Sequence, residues 1–149
     1  MLAAASTAAL AADAPPQLRN KTITVTFSLT GQAGTLGVQR LIYVSNKGRI
    51  FVRSSRSTGN AGDTKDVALG TYRYESGRIV GFFTMAQHAN QLTVRFDPAF
   101  QSCDASLVFG KATGGAYRLT APNGVTNVQD RPPAVSGVSC SIREGNPLG

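Results

Sequence analysis

From Lys21 to Leu29 the chain alternates apolar and hydroxyl side chains. Ile23, Val25, Phe27 and Leu29 fall on one side, Thr22, Thr24, Thr26 and Ser28 on the other. Strict alternation predicts a strand with one face buried and one wet, because successive side chains leave a strand on opposite faces. The same period returns in Gln91–Asp97, where Leu92, Val94 and Phe96 oppose Thr93 and Arg95. In Val135–Ile142 it sets Val138, Cys140 and Ile142 against Ser139 and Ser141, which turns Cys140 inward. Shorter β-rich runs lie at Val67–Glu75, Arg78–Ala86, Ala105–Phe109, Tyr117–Thr120 and Val125–Val128. Gly31–Gly37 and the polar interval Ser54–Asp66 read as loops, Gln87–Asn90 as a turn. No stretch carries a helical period.

The plainest structural signal is Val38–Ser54, two β-rich runs around Ser45-Asn46-Lys47-Gly48. Asn46 and Lys47 suit the centre of a type I turn, and Gly48 supplies the left-handed residue of a G1 bulge. That turn sets the register: Val44 faces Ile50, Tyr43 faces Phe51, Ile42 faces Val52 and Leu41 faces Arg53. One face of the hairpin is then aliphatic (Ile42, Val44, Ile50, Val52), the other aromatic and basic (Leu41, Tyr43, Phe51, Arg49, Arg53). Tyr72–Ile79 repeats the Gly-Arg-Ile ending of Tyr43–Ile50 and is read as the same turn solution used twice.

Eight or nine strands joined by short turns specify an all-β fold. An antiparallel meander closing into a small β-barrel is the expected arrangement, with a β-sandwich as its rival. At 149 residues the chain fits one domain. Its expected bounds are 21–143, after a disordered lead-in over 1–20 and before a tail over 144–149.

The net charge of +7 comes mostly from arginine, whose planar fork suits phosphate, sulfate and carboxylate. No apolar run reaches the roughly 18 residues that a membrane-spanning helix needs. Leu2–Ala12 is short, small and apolar, and Ala9-Leu10-Ala11 has the small-x-small form that signal peptidase prefers. No Lys or Arg precedes it, so it reads as a truncated signal peptide. Export into the periplasm or the medium is expected, and there the two cysteines, Cys103 and Cys140, would form one disulfide. Chain entropy gives such a bond about 4 kcal/mol of stabilisation.

Catalytic chemistry is thinly represented. His88 is the single histidine, and no two-histidine or Cys-x-x-Cys spacing offers a metal site. No nucleophile elbow, Walker loop or dinucleotide fingerprint appears, and Gly110–Gly115 lacks the Gly-Lys-Ser/Thr ending of a phosphate loop. A hydrolase would need Asp97 and Asp104 to converge. No enzyme activity, cofactor or metal is therefore expected. The positive signal is the hairpin face, where Leu41, Tyr43, Arg49, Phe51 and Arg53 are the candidate ligand-binding residues. Arg73, Arg78, Arg95 and Arg118 are candidates to extend it.

The segment Tyr43-Val-Ser-Asn-Lys-Gly-Arg-Ile-Phe, the Phe-Asp-Pro-x-Phe-x-Ser-Cys around Cys103 and the closing Val138-Ser-Cys-Ser-Ile-Arg-Glu-Gly-Asn resemble a group of small exported β-rich proteins of rhizobia-type bacteria. The resemblance implies export and shared cysteines, and it assigns no catalytic residue. The expected function is an exported binding protein for an anionic or amphipathic molecule: a small anion, a glycan or a lipid headgroup, with no nucleic-acid partner. The alternative is a structural or protein-interaction component of the cell envelope.

Overall fold

The computed structural model describes residues 14–31, 34–56, 71–85, 88–110, 116–120 and 126–145. The signal-peptide reading of Leu2–Ala12, most of the polar interval Ser54–Asp66 and the turn at Gly110–Gly115 lie outside the described residues.

A single 3-10 turn, Pro16–Leu18, precedes ten strands: β1 Lys21–Gly31, β2 Gly34–Val44, β3 Ile50–Arg56, β4 Thr71–Glu75, β5 Arg78–Met85, β6 His88–Phe96, β7 Cys103–Phe109, β8 Tyr117–Thr120, β9 Thr126–Gln129 and β10 Ala134–Glu144. All pairings are antiparallel. Two four-stranded sheets run β10-β1-β2-β3 and β4-β5-β6-β7, and β8-β9 form a separate ribbon.

The meander is present, but it does not close. No ladder joins β3 to β4 or β7 to β10, so the arrangement is sandwich-like and the expected barrel is corrected to its rival. A hairpin loop of two to five residues forces its strands to pair, whereas the connection 57–70 is far longer and imposes no pairing. At the other edge, β7 and β10 are tied by the Cys103–Cys140 disulfide, with Cα atoms 5.6 Å apart. The second edge also carries an irregularity. The register between β1 and β10 shifts between Thr26 and Ser28, next to Gly137 at φ +61°. Val138, expected to face inward, stands beside this irregularity and is exposed.

One core fills the space between the sheets. Ile23, Val25, Phe27 and Leu29 from β1 and Val38, Ile42 and Val44 from β2 meet Ile79 and Phe83 from β5 and Leu92 and Val94 from β6. These are the positions that the period-two pattern places on one face. The lead-in belongs to this core from Ala14 onward. Ala14 and Leu18 are buried, and the Ala14 and Asn20 amides donate to the Gly48 and Val44 carbonyls at 3.2 and 2.7 Å. Residues 14–20, expected as unstructured, therefore strap across the first hairpin. On the tail side, Thr22 Oγ1 donates to the Gly145 carbonyl at 2.7 Å and the Gly145 amide donates to the Asn20 carbonyl at 2.8 Å. Strand boundaries also move: β3 runs on to Arg56, inside the interval expected as a polar loop, and β7 starts at Cys103. β2 starts at Gly34, inside the expected loop, and β6 starts at His88, inside the expected turn.

Candidate functional site: an aromatic and basic sheet face

The β2–β3 hairpin fixes this face. Ser45 and Arg49 close the turn through an amide-to-carbonyl bond of 2.8 Å, and the Gly48 amide donates to the Ser45 carbonyl at 2.9 Å. Ser45 Oγ accepts the Lys47 and Arg49 amides, and Gly48 stands at φ +82°. A side chain there would be strained, so the glycine holds the register. The resulting pairs are Leu41 with Arg53, Ile42 with Val52, Tyr43 with Phe51 and Val44 with Ile50, as the turn chemistry predicts. The second Gly-Arg-Ile hairpin differs. Its loop is the two residues Ser76 and Gly77, both at positive φ, between the paired Glu75 and Arg78. It is a primed two-residue turn and not a copy of the first.

Leu41, Tyr43, Phe51 and Arg53 share the outer face of the first sheet, and Arg49 sits in the turn that joins their strands. The Tyr43 and Phe51 rings lie 6.4 Å apart and tilted by 30°. The Tyr43 hydroxyl donates to Asn20 Oδ1 at 2.9 Å, so the lead-in strap orients the tyrosine. Phe51 remains 52% exposed, a large value for a phenylalanine on a sheet. Leu41 and Arg53 are half-buried and Arg49 is exposed. The register adds one residue that the sequence reading does not include. Arg143 on β10 pairs with Thr22, and Thr22 with Tyr43, so Arg143–Thr22–Tyr43–Phe51 form one row across four strands. The next row is Ser141–Thr24–Leu41–Arg53. The two rows together carry the guanidinium groups of Arg143 and Arg53.

The other arginines do not extend it. Arg73, Arg78 and Arg95 stand on the second sheet, where the register row Glu75–Arg78–Arg95–Asp104 sets one carboxylate beside each of its two arginines. Arg73 pairs with Glu75 and lies 5.4 Å from the Phe82 ring centroid. Arg118 is exposed on β8, in the separate ribbon.

Asp97 and Asp104 play different parts. Asp97 accepts the backbone amides of Ser102 and Gln101 at 2.7 Å and of Ala99 at 3.2 Å. These bonds, the Ser102 amide foremost, hold its carboxyl below the usual range against the opposing effect of desolvation. Asp97 is thus the cap of its own loop, with its oxygens committed to backbone. Among the described residues, His, Cys, Asp and Glu form no group of three that could hold a metal ion. The His88 side chain lies outside the described residues.

The second residue absent from the sequence reading is Arg40. It falls in phase with Val38, Ile42 and Val44 on β2, and it is completely buried between the sheets. The signal was the phase itself: Arg40 stands two residues before an inward isoleucine. Comparison of this chain with protein-family models, with curated proteins and with solved structures found no match.

Proposed function

We propose that this protein acts by binding, and that the outer face of its first sheet takes an acidic glycan. The observation that carries this reading is the half-exposed Phe51 ring beside Tyr43, in a hairpin that also carries Arg49 and Arg53, with Arg143 in the same register row as the two rings. A single exposed phenylalanine is ordinary on a protein surface. An aromatic pair framed by guanidinium groups is a more particular surface. The C–H faces of sugar rings pack on aromatic rings, and uronate or sulfate groups accept paired hydrogen bonds from arginine. The strap through Asn20 keeps the Tyr43 ring in place before any ligand arrives, which lowers the ordering cost of binding. Export into an oxidising compartment is part of the proposal, supported by the Cys103–Cys140 disulfide and by the apolar N-terminal sequence.

The test is titration of the oxidised protein with a heparin hexasaccharide at two salt concentrations. Binding that weakens with salt and falls about tenfold in the Arg49→Ala/Arg53→Ala double variant is the expected result, since that change corresponds to about 1.4 kcal/mol over two charge contacts. Phe51→Ala is expected to weaken it several-fold. A double variant that binds as the parent does would reject the face as the site. Anionic phosphatidylglycerol vesicles, bound while the hexasaccharide is not, would transfer the site from glycans to lipid headgroups.

A further inference from the structure

Arg40 is the largest fully buried side chain among the described residues, with no exposed surface. Its inner register row is Cys140–Val25–Arg40–Ser54, and Val38 and Ile42 flank it along β2. From the opposite sheet, the Phe83 ring lies under its guanidinium, with the centroid 4.1 Å from Cζ. Nε and Nη1 have no hydrogen-bond partner. The ion pairs among the described residues are Lys21–Glu144 and Arg73–Glu75, and neither involves Arg40.

This is an expensive arrangement for an unliganded core. A buried lysine can lose its proton, but arginine keeps its charge in proteins. The stacking on Phe83 returns part of the lost hydration and satisfies no N–H. A position needing only bulk between Val38 and Ile42 is served better by methionine or leucine, because apolar residues of similar volume often stabilise a fold more than a buried charge does. A planar cation with two unsatisfied nitrogens in apolar surroundings fits a planar anion. Each bidentate edge of the guanidinium, Nε/Nη2 and Nη1/Nη2, contains one of those nitrogens.

We propose that Arg40 anchors an interior site for a monocarboxylic amphiphile, an aliphatic acid whose carboxylate pairs with the guanidinium and whose tail lies between the sheets. One negative charge neutralises the site, whereas a phosphate dianion would leave a surplus charge buried. The tail is matched by Val25, Val38, Ile42, Phe83 and Leu92, all buried core residues. Entry breaks no strand pairing. β3 and β4 share no ladder, so opening the packed core along that edge to admit the tail would sever no strand pairing, while the disulfide holds β7 to β10 at the other. This site is separate from the outer face, and the two readings stand or fall independently.

The experiment is calorimetric titration and thermal unfolding of the oxidised full chain with decanoate, against decanol, acetate and inorganic phosphate. Decanoate is expected to bind at least tenfold more tightly than each of the other three and to raise Tm as its concentration rises. Arg40→Met is expected to lose decanoate binding at least tenfold while its own ligand-free Tm stays level or rises by a few degrees. A purely structural arginine would give the opposite sign of Tm change. The Arg49→Ala/Arg53→Ala protein is expected to keep decanoate binding, and Arg40→Met to keep hexasaccharide binding. Decanoate that binds the parent no better than decanol overturns the proposal, and this comparison needs no variant to fold. Undiminished binding to folded Arg40→Met overturns it as well.

Discussion

Gly81 lies beneath the ring of Tyr72, its cross-strand partner, so closely that a Cβ on Gly81 would stand 2.2 Å from the Tyr72 Cε2 atom. The absent side chain is what admits the ring. Tyr72 in turn lies within 5° of parallel to Phe83 at 6.4 Å, and Phe83 carries the Arg40 guanidinium. A glycine in the middle of a strand weakens it, so this one is explained by the layer stacked above it. Gly81→Ala is expected to displace the ring and to cost about 1–3 kcal/mol, the usual range for overpacking. Thermal or urea unfolding measures the loss. The decisive measurement is a double-mutant cycle with Tyr72→Ala. Because the smaller residue makes room for the methyl group, the two changes should couple by at least about 0.5 kcal/mol. Additive losses would show that the glycine serves another purpose.

The Cys103–Cys140 bond is the covalent tie between the two sheets among the described residues, joining β7 to β10 where no ladder does. Its ends are 37 residues apart in sequence. Reduction, or replacement of both cysteines by serine, is expected to lower stability by about 2–4 kcal/mol through the freedom returned to the unfolded chain. The comparison of urea midpoints with and without a reductant checks this. Since Val25 pairs with Cys140 from the next strand, amide exchange should speed up first along β10 and β7, ahead of β1 and β2. Equal protection in both redox states would mean that packing alone closes this edge.

What could be read in advance follows how local the determinant is. The pairing of Tyr43 with Phe51 and of Leu41 with Arg53 was legible because a four-residue turn dictates it. The burial of Ile23, Val25, Phe27 and Leu29 was legible because alternation is a property of neighbouring residues. Barrel closure was not, since it depends on whether edges distant in sequence adopt a shared hydrogen-bond stagger. Ala14 and Leu18 gave no periodic signal: a short strap is buried by what it lies against, not by its own pattern. The two Gly-Arg-Ile turns show the limit of motif matching. Gly48 completes a three-residue loop, whereas Gly77 follows Ser76 in a two-residue one, and one residue of spacing decides the turn type. Arg40 was hidden for a different reason. The alternation did place it inward, but a charged residue at an inward position conflicts with the expectation that cores are apolar, and that conflict is the feature that marks a site.

Asp97 gives the fold a pH dependence of definite sign. Its carboxylate closes the Asp97–Ser102 loop by accepting three backbone amides, Ser102 and Gln101 on Oδ1 and Ala99 on Oδ2. The loop needs this support. Phe100 takes a positive φ of 56° while its ring packs 5.6 Å from Phe96, and the chain then delivers Cys103 to the disulfide. Bonds to the charged form hold the folded pKa below the reference value of 3.8. The stabilisation is therefore complete above that value and is lost as the pH falls through the lower, folded one. Asp97→Asn keeps an accepting oxygen but removes the charge, so it is expected to lower Tm at neutral pH. The gap between parent and variant should be flat above about pH 5 and narrow below about pH 4, where the parent carboxyl takes up its proton. Amide exchange at Gln101 and Ser102 should follow the same profile. A gap that persists unchanged into acid would assign the loop's stability to the Phe96–Phe100 packing and not to the carboxylate.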